Sequence, residues 1–170
     1  MKSTTIWVGL DVHKESISVA VFEDRHAQGR PGVCIPNDAG QIRKLFSRLK
    51  KEGEVHACYE AGSCGYEVYR QLAAMGIACD VIAPGLIPVR VGDRVKTDRR
   101  DAEKLARLFR AGELTSIRVP TLDQEIAQQA EKEPYKAMVG RLRCLRGIDT
   151  LSAMALIELA GFVWAVGCAA

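Results

Sequence analysis

Two apolar runs open the chain. Ile6-Trp7-Val8-Gly9-Leu10 and Ile17-Ser18-Val19-Ala20-Val21-Phe22 flank a short polar turn, the signature of hairpin-paired strands over residues 5–12 and 16–23. The first run is apolar at odd and even positions alike, which places it in the middle of a sheet covered on both faces. A third strand pattern covers 32–36, and a helical stripe over 38–51 follows, with Asn37 expected as its cap and Gly53 near its end. Strand 55–60, a helix over 65–75 stopped by Gly76, and strand 77–82 come next. A short helical or irregular segment through Pro84 and Pro88 leads to a helix over 98–111, whose apolar stripe is Ala102, Leu105, Ala106 and Phe109. From 122 to 159 the pattern is helical, with interruptions at Pro134 and Gly147. Three antiparallel strands followed by alternating helices and strands predict an α/β fold. The order is that of an RNase H-like mixed sheet covered by helices, with a small helical C-terminal segment behind it.

Four acids fall at the ends of these elements. Asp11 lies near the end of the first strand, Glu60 closes the fourth and leads into the small-residue turn Ala61-Gly62-Ser63, and Asp98 and Asp101 open the helix at 98. An ionised carboxylate next to an apolar strand is costly unless it reaches an edge or binds a cation. Asp98 and Asp101, three residues apart, can share one helical face. Converging carboxylates repel, and a hard divalent cation relieves that repulsion while clamping the oxygens of a phosphate. Each acid also has an ordinary explanation. Asp98 with Asp101 fits an N-cap with a capping-box partner, Glu60 an exposed strand end, and Asp11 a turn residue.

The local context of the acids narrows the choice. GLDVHKES, then YEAGSCGYEVYRQL, then VKTDRRDAEKLARL occur in the order and setting of the RuvC-like DEDD transposases of the insertion-sequence one-ten family, which the chain resembles from residue 5 to about residue 121. LRCLRGIDTLSAMALIELAGF, from Leu142 to Phe162, is similar to the start of that family's C-terminal domain, with its helix-hairpin-helix character. The resemblance implies catalytic and metal-binding roles for Asp11, Glu60, Asp98 and Asp101, with Mg²⁺ as the metal. One ion would activate the nucleophile and a second stabilise the leaving oxygen, with Asp11 bridging them. It also implies DNA as the partner, strand exchange in transposition as the activity, a structured guide RNA transcribed from the element, and a homo-oligomer in full-length relatives.

The chain departs from the family in three places. About twenty residues separate the VPTLDQE end of the first domain from LRCLRGID, where members carry a long helical segment. The hairpin Gly147-Ile148-Asp149 has an acid where a second glycine is expected. The closing residues Val163 to Ala170 do not resemble the family's continuation toward its catalytic serine, so no residue takes that role. The expected organisation is a RuvC-like domain over 1–121, a shortened helical connector over 122–141 and a partial C-terminal transposase domain over 142–170.

Composition refines this. The 170 residues are 48% hydrophobic, enough for one substantial core and a small appendage, and the net charge is only +3 with a pI near 8.6. The local charge is more informative. Between Arg90 and Arg110 eight basic residues face four acids, and Lys96, Arg99 and Arg100 are the candidates for phosphate contacts. Taken by itself, the same stretch reads as a solvated helix face. Six cysteines without a CxxC pair read as buried thiols in a reducing cytoplasm, and the three histidines do not take zinc-ligand spacing with them. His56 reads as a strand residue and His13 as a turn residue beside Asp11. No signal peptide is expected, and no apolar run reaches membrane length, the longest being broken by Glu158.

Three functions stand against one another at this stage. One is a shortened Mg²⁺-dependent DNA transposase. The second is a catalytically inactive remnant that still binds nucleic acid. The third is a phosphotransferase of the actin and sugar-kinase kind, disfavoured because Gly62, Gly65 and Gly76 supply no comparable set of phosphate turns.

Overall fold

The computed structural model describes residues 4–88 and 98–167, with side chains as far as residue 159. Its backbone forms two compact units, residues 1–119 and 120–170.

The first unit is built on a five-stranded sheet. Strands β1 (Thr5–Val12), β2 (Ser16–Glu23), β3 (Val33–Pro36), β4 (Glu54–Glu60) and β5 (Ala78–Ile82) lie in the order β3-β2-β1-β4-β5. The β1–β2 and β2–β3 pairs are antiparallel, and β1–β4 and β4–β5 are parallel. The most apolar strand, β1, is therefore central, as its two-faced hydrophobicity requires. This order and mixture of directions is the RNase H-like arrangement.

The two faces of β1 carry different residue sizes. Ile6, Val8 and Leu10 point into the main core with Ile17, Val19, Tyr59 and Val81, and are covered by helices α1 (Ala39–Glu52) and α2 (Glu67–Ala74). Helix α1 contributes Ile42, Phe46 and Leu49, spaced to form one stripe, and α2 contributes Val68 and Leu72. Each such buried side chain contributes about 2 kcal/mol relative to exposure. On the opposite face Gly9, Ala20 and Cys58 are small, and helix α3 (Asp98–Arg110) settles close against them through Ala102, Leu105 and Ala106.

The cap of α1 is Asp38, not Asn37. The Asp38 carboxylate accepts from the backbone N–H of Gly40 at 2.9 Å and of Gln41 at 3.1 Å. An ionised side chain suits the positive end of the helix dipole better than an amide does. Asn37 is turned the other way. Its Nδ2 donates to the carbonyl of His13 at 2.7 Å and its N–H to the carbonyl of Glu15 at 3.0 Å, which pins the β1–β2 turn to the start of α1.

The thiols are also differently placed than expected. Among the described cysteines all five are free and only Cys58 is buried, while Cys34 on edge strand β3 and Cys144 at the end of a helix are exposed. Burial raises the Cys58 and Cys79 thiols well above their ordinary value, so both remain protonated and unreactive.

The second unit is three helices, α4 (Leu122–Ala130), α5 (Tyr135–Arg143) and α6 (Thr150–Gly167). A capping box between Thr121 and Gln124 starts α4. Ala130, Val139, Ala153 and Ile157 form its small core. The breaks fall where Pro134 and Gly147 predict them, and Gly147 has φ +87°. Asp149, the acid in place of the second hairpin glycine, caps α6. Its carboxylate accepts from Ser152 N–H at 2.7 Å, which holds its pKa below the ordinary range. Among the described residues, no helix is long and apolar enough to cross a membrane.

Candidate metal centre

The centre lies at the C-terminal end of β1, where the sheet runs out beneath the first turn of α3. Side chains alternate along a strand, so Trp7, Gly9 and Asp11 share the α3 face. Gly9 decides how near α3 can come. A Cβ at that position would overlap the carbonyl oxygen of Ala102 and the backbone nitrogen of Ala106, and would lie 2.9 Å from the Ala106 Cβ. One turn before Ala102 stands Asp98, which this close approach brings down over Asp11.

The other end of α3 is fixed separately. Phe109 packs edge-on against Trp7 with ring centroids 5.2 Å apart, and Arg110 donates to the carbonyls of Glu23 at 3.1 Å and His26 at 2.8 Å. The helix therefore cannot slide along the sheet without losing contacts at both ends.

Between the two carboxylates sits a residue that the sequence pattern assigned only to the turn. His13 Nε2 lies 3.1 Å from Asp11 Oδ2 and 3.7 Å from Asp98 Oδ2. One ligand atom from each of Asp11, His13 and Asp98 falls within 4.8 Å of the others. The signal was the Asp11-x-His13 spacing, which puts both side chains on one face where a strand continues into its turn. Asp11 is half-buried and the other two are exposed, so the group opens to solvent. Burial is the main cause that pushes the Asp11 carboxyl above its ordinary value. Asp98 and Asp101 add to the rise, while the charge and hydrogen bond of His13 oppose it.

Glu60 and Asp101 are placed beside this group, not within it. Tyr59 is in register with Leu10 across the parallel β1–β4 pair, so Glu60 follows next to Asp11 on a strand about 4.8 Å away. By alternation it shares the α3 face with Cys58. Asp101 occupies the first turn of α3 with Asp98 and is partly buried. Asp98 is the first described residue of α3.

The basic candidates separate. Arg99 pairs with Glu103 at 3.5 Å, and its side chain crosses Gly32, where a Cβ would meet the guanidine Nε at 3.0 Å. Arg100 is exposed on the same turn, and Lys96 lies outside the described residues.

A five-stranded sheet of this order, with carboxylates at the ends of its two central strands and another pair on the helix above, defines an RNase H-like protein with a candidate metal centre. The family signature of the IS110 DEDD domain, described as a transposase, matches residues 8–131. A transposase for insertion sequence element IS1533 from Leptospira borgpetersenii is 30% identical, over 89% of this chain and 68% of that protein. Its alignment runs over 237 residues, more than the 170 of this chain, and so crosses segments of the relative that have no counterpart here. The protein y4qE of Sinorhizobium fredii (strain NBRC 101917 / NGR234), also described as a transposase, is 48% identical over 82% of this chain, which spans 35% of it. Among solved structures, T. thermophilus RuvC in complex with a Holliday junction substrate aligns with 68% of this chain and all of its own, at 10% identity and a TM-score of 0.46. The chain belongs to the IS110 family of DEDD transposases.

Proposed function

We propose that the chain carries the RuvC-like catalytic centre of an insertion-sequence transposase, in which Asp11, Glu60, Asp98 and Asp101 hold Mg²⁺ for cleavage and exchange of DNA strands. The observation that carries this reading is the convergence of Asp11 from β1 and Asp98 from α3, two elements distant in sequence, onto one solvent-open point. The donors fit the ion. They are carboxylate oxygens whose mutual repulsion needs a counter-charge, and hard divalent cations take oxygen ligands. Asp11 and Asp98 would hold the cation directly, with Glu60 and Asp101 completing the acidic set. Bound there, a divalent cation lowers the pKa of its water and neutralises charge on phosphate oxygens. Arg99 and Arg100 on the first turn of α3 supply positive charge for the DNA backbone, and Lys96, two residues before Asp98 in the sequence, is assigned the same role. A structured guide RNA and assembly of several copies belong to the same proposal, as does the division into a RuvC-like domain over 1–121, a connector over 122–141 and a partial C-terminal domain over 142–170.

A second reading has its own support. The chain's alignment with the Leptospira protein crosses internal segments of that relative that have no counterpart here. On that reading it is a folded remnant that binds nucleic acid and exchanges nothing. Branched DNA incubated with the chain and Mg²⁺ separates the two. Nicking by the parent that Asp11→Asn abolishes is expected of the transposase centre. Equal nicking by both overturns the role of Asp11, and binding without any nicking favours the remnant.

A further inference from the structure

Resting on that reading of the Asp11 end as a divalent-cation site, we propose that His13 is a direct ligand of the cation through Nε2. The centre is then a mixed nitrogen and oxygen site that binds Mn²⁺ more tightly than Mg²⁺. Three observations converge on His13. Its Nε2 faces both Asp11 Oδ2 and Asp98 Oδ2, at 3.1 and 3.7 Å, so a cation held between the two acids would come within its reach. It is half-exposed, which leaves a route for an ion to enter without unfolding the turn.

The third observation is that its backbone is held from both sides. The His13 N–H donates to the Ser16 carbonyl at 2.9 Å, and its own carbonyl accepts from Asn37 Nδ2 at 2.7 Å. Asn37 sits at the junction of β3 and α1, so the turn that carries His13 is tied to elements other than the strands and helix that carry the acids. A side chain that merely neutralised the two carboxylates would not need this anchorage. A ligand does, because a small displacement changes the coordination distance.

The metal preference follows from the donor. Mg²⁺ takes oxygen ligands and keeps several waters, whereas imidazole suits first-row transition metals. Adding one imidazole to a carboxylate pair therefore favours Mn²⁺ over Mg²⁺, without excluding either.

Pulsed electron paramagnetic resonance of the Mn²⁺-loaded chain tests this, because a directly bound imidazole leaves a nitrogen coupling on the manganese signal. The coupling is expected in the parent and absent in His13→Gln, whose exposed side chain can change without disturbing the Asn37 bond to the backbone. Mn²⁺ affinity should fall on the order of tenfold in that variant, and Mg²⁺ affinity less. Mn²⁺ that binds in an Asp11-dependent manner with no nitrogen coupling, or with coupling that survives in His13→Gln, overturns the role of His13 and leaves the acidic site standing. Mn²⁺ that binds parent and Asp11→Asn alike, or binds neither, overturns both.

Discussion

Gly9 of β1 lies directly beneath Ala106 of α3, with no room between the two backbones for a methyl group. That contact sets the height of α3 above the sheet and so the height of Asp98 above Asp11. Gly9→Ala must lift the helix, because the overlapping atoms are backbone and have no rotamer to yield. It should destabilise the fold by about 3 kcal/mol, read from urea denaturation. It should also weaken divalent-cation binding under conditions where the protein remains folded. A variant with parent stability would show that α3 is not held at this distance.

The turn and the helix cap make a contrasting pair. Asp38→Ala removes two hydrogen bonds at the start of α1 and should cost about 1 kcal/mol, with metal affinity unchanged. Asn37→Ala should cost a similar amount through the lost bond to the His13 carbonyl, and should also weaken Mn²⁺ binding. Denaturation and metal titration on the same two proteins separate these effects. Equal loss of metal affinity in both would tie the site to α1 as a whole instead of to the turn.

Much of this arrangement was legible in the sequence. Strands 5–12 and 16–23 match β1 and β2 residue for residue, because hydrophobic runs on either side of a polar turn leave no other register that buries them. The predicted helix over 98–111 is Asp98–Arg110, and the breaks at Pro134 and Gly147 fall between α4, α5 and α6. Two features were not legible. The cap passed from Asn37 to Asp38 because both are good caps and only the three-dimensional turn shows Asn37 engaged with His13. The meeting of His13 with Asp98 depends on α3 arriving 85 residues later in the chain, a convergence that local periodicity does not encode. The acids themselves stood out because a carboxylate at the end of an apolar strand conflicts with its neighbours unless something binds it.

The pH dependence of stability should carry the signature of Arg30. Its guanidinium lies 2.7 Å from Glu23 Oε1 and 2.6 Å from Glu52 Oε2, tying the end of β2 to the end of α1. Hydrogen bonding to Arg30 is the main cause that holds the Glu52 carboxyl below its ordinary value of 4.5. A depressed carboxyl stabilises the fold above its unfolded value, and that contribution disappears as pH falls through the lower folded value. Arg30→Met should therefore lower the Tm at pH 7 by more than at pH 3. A gap of the same size at both pH values would assign the effect of Arg30 to packing alone.

The most direct test of the metal centre is calorimetric titration of the chain with Mn²⁺ and with Mg²⁺, alongside Asp11→Asn, Asp98→Asn and Asp123→Asn. Asp123 opens α4 in the other unit and serves as a control for surface charge. A saturable binding event present in the parent and in Asp123→Asn, and lost in Asp11→Asn and Asp98→Asn, is the predicted result. Binding that is the same in all four proteins would contradict a metal centre at the end of β1.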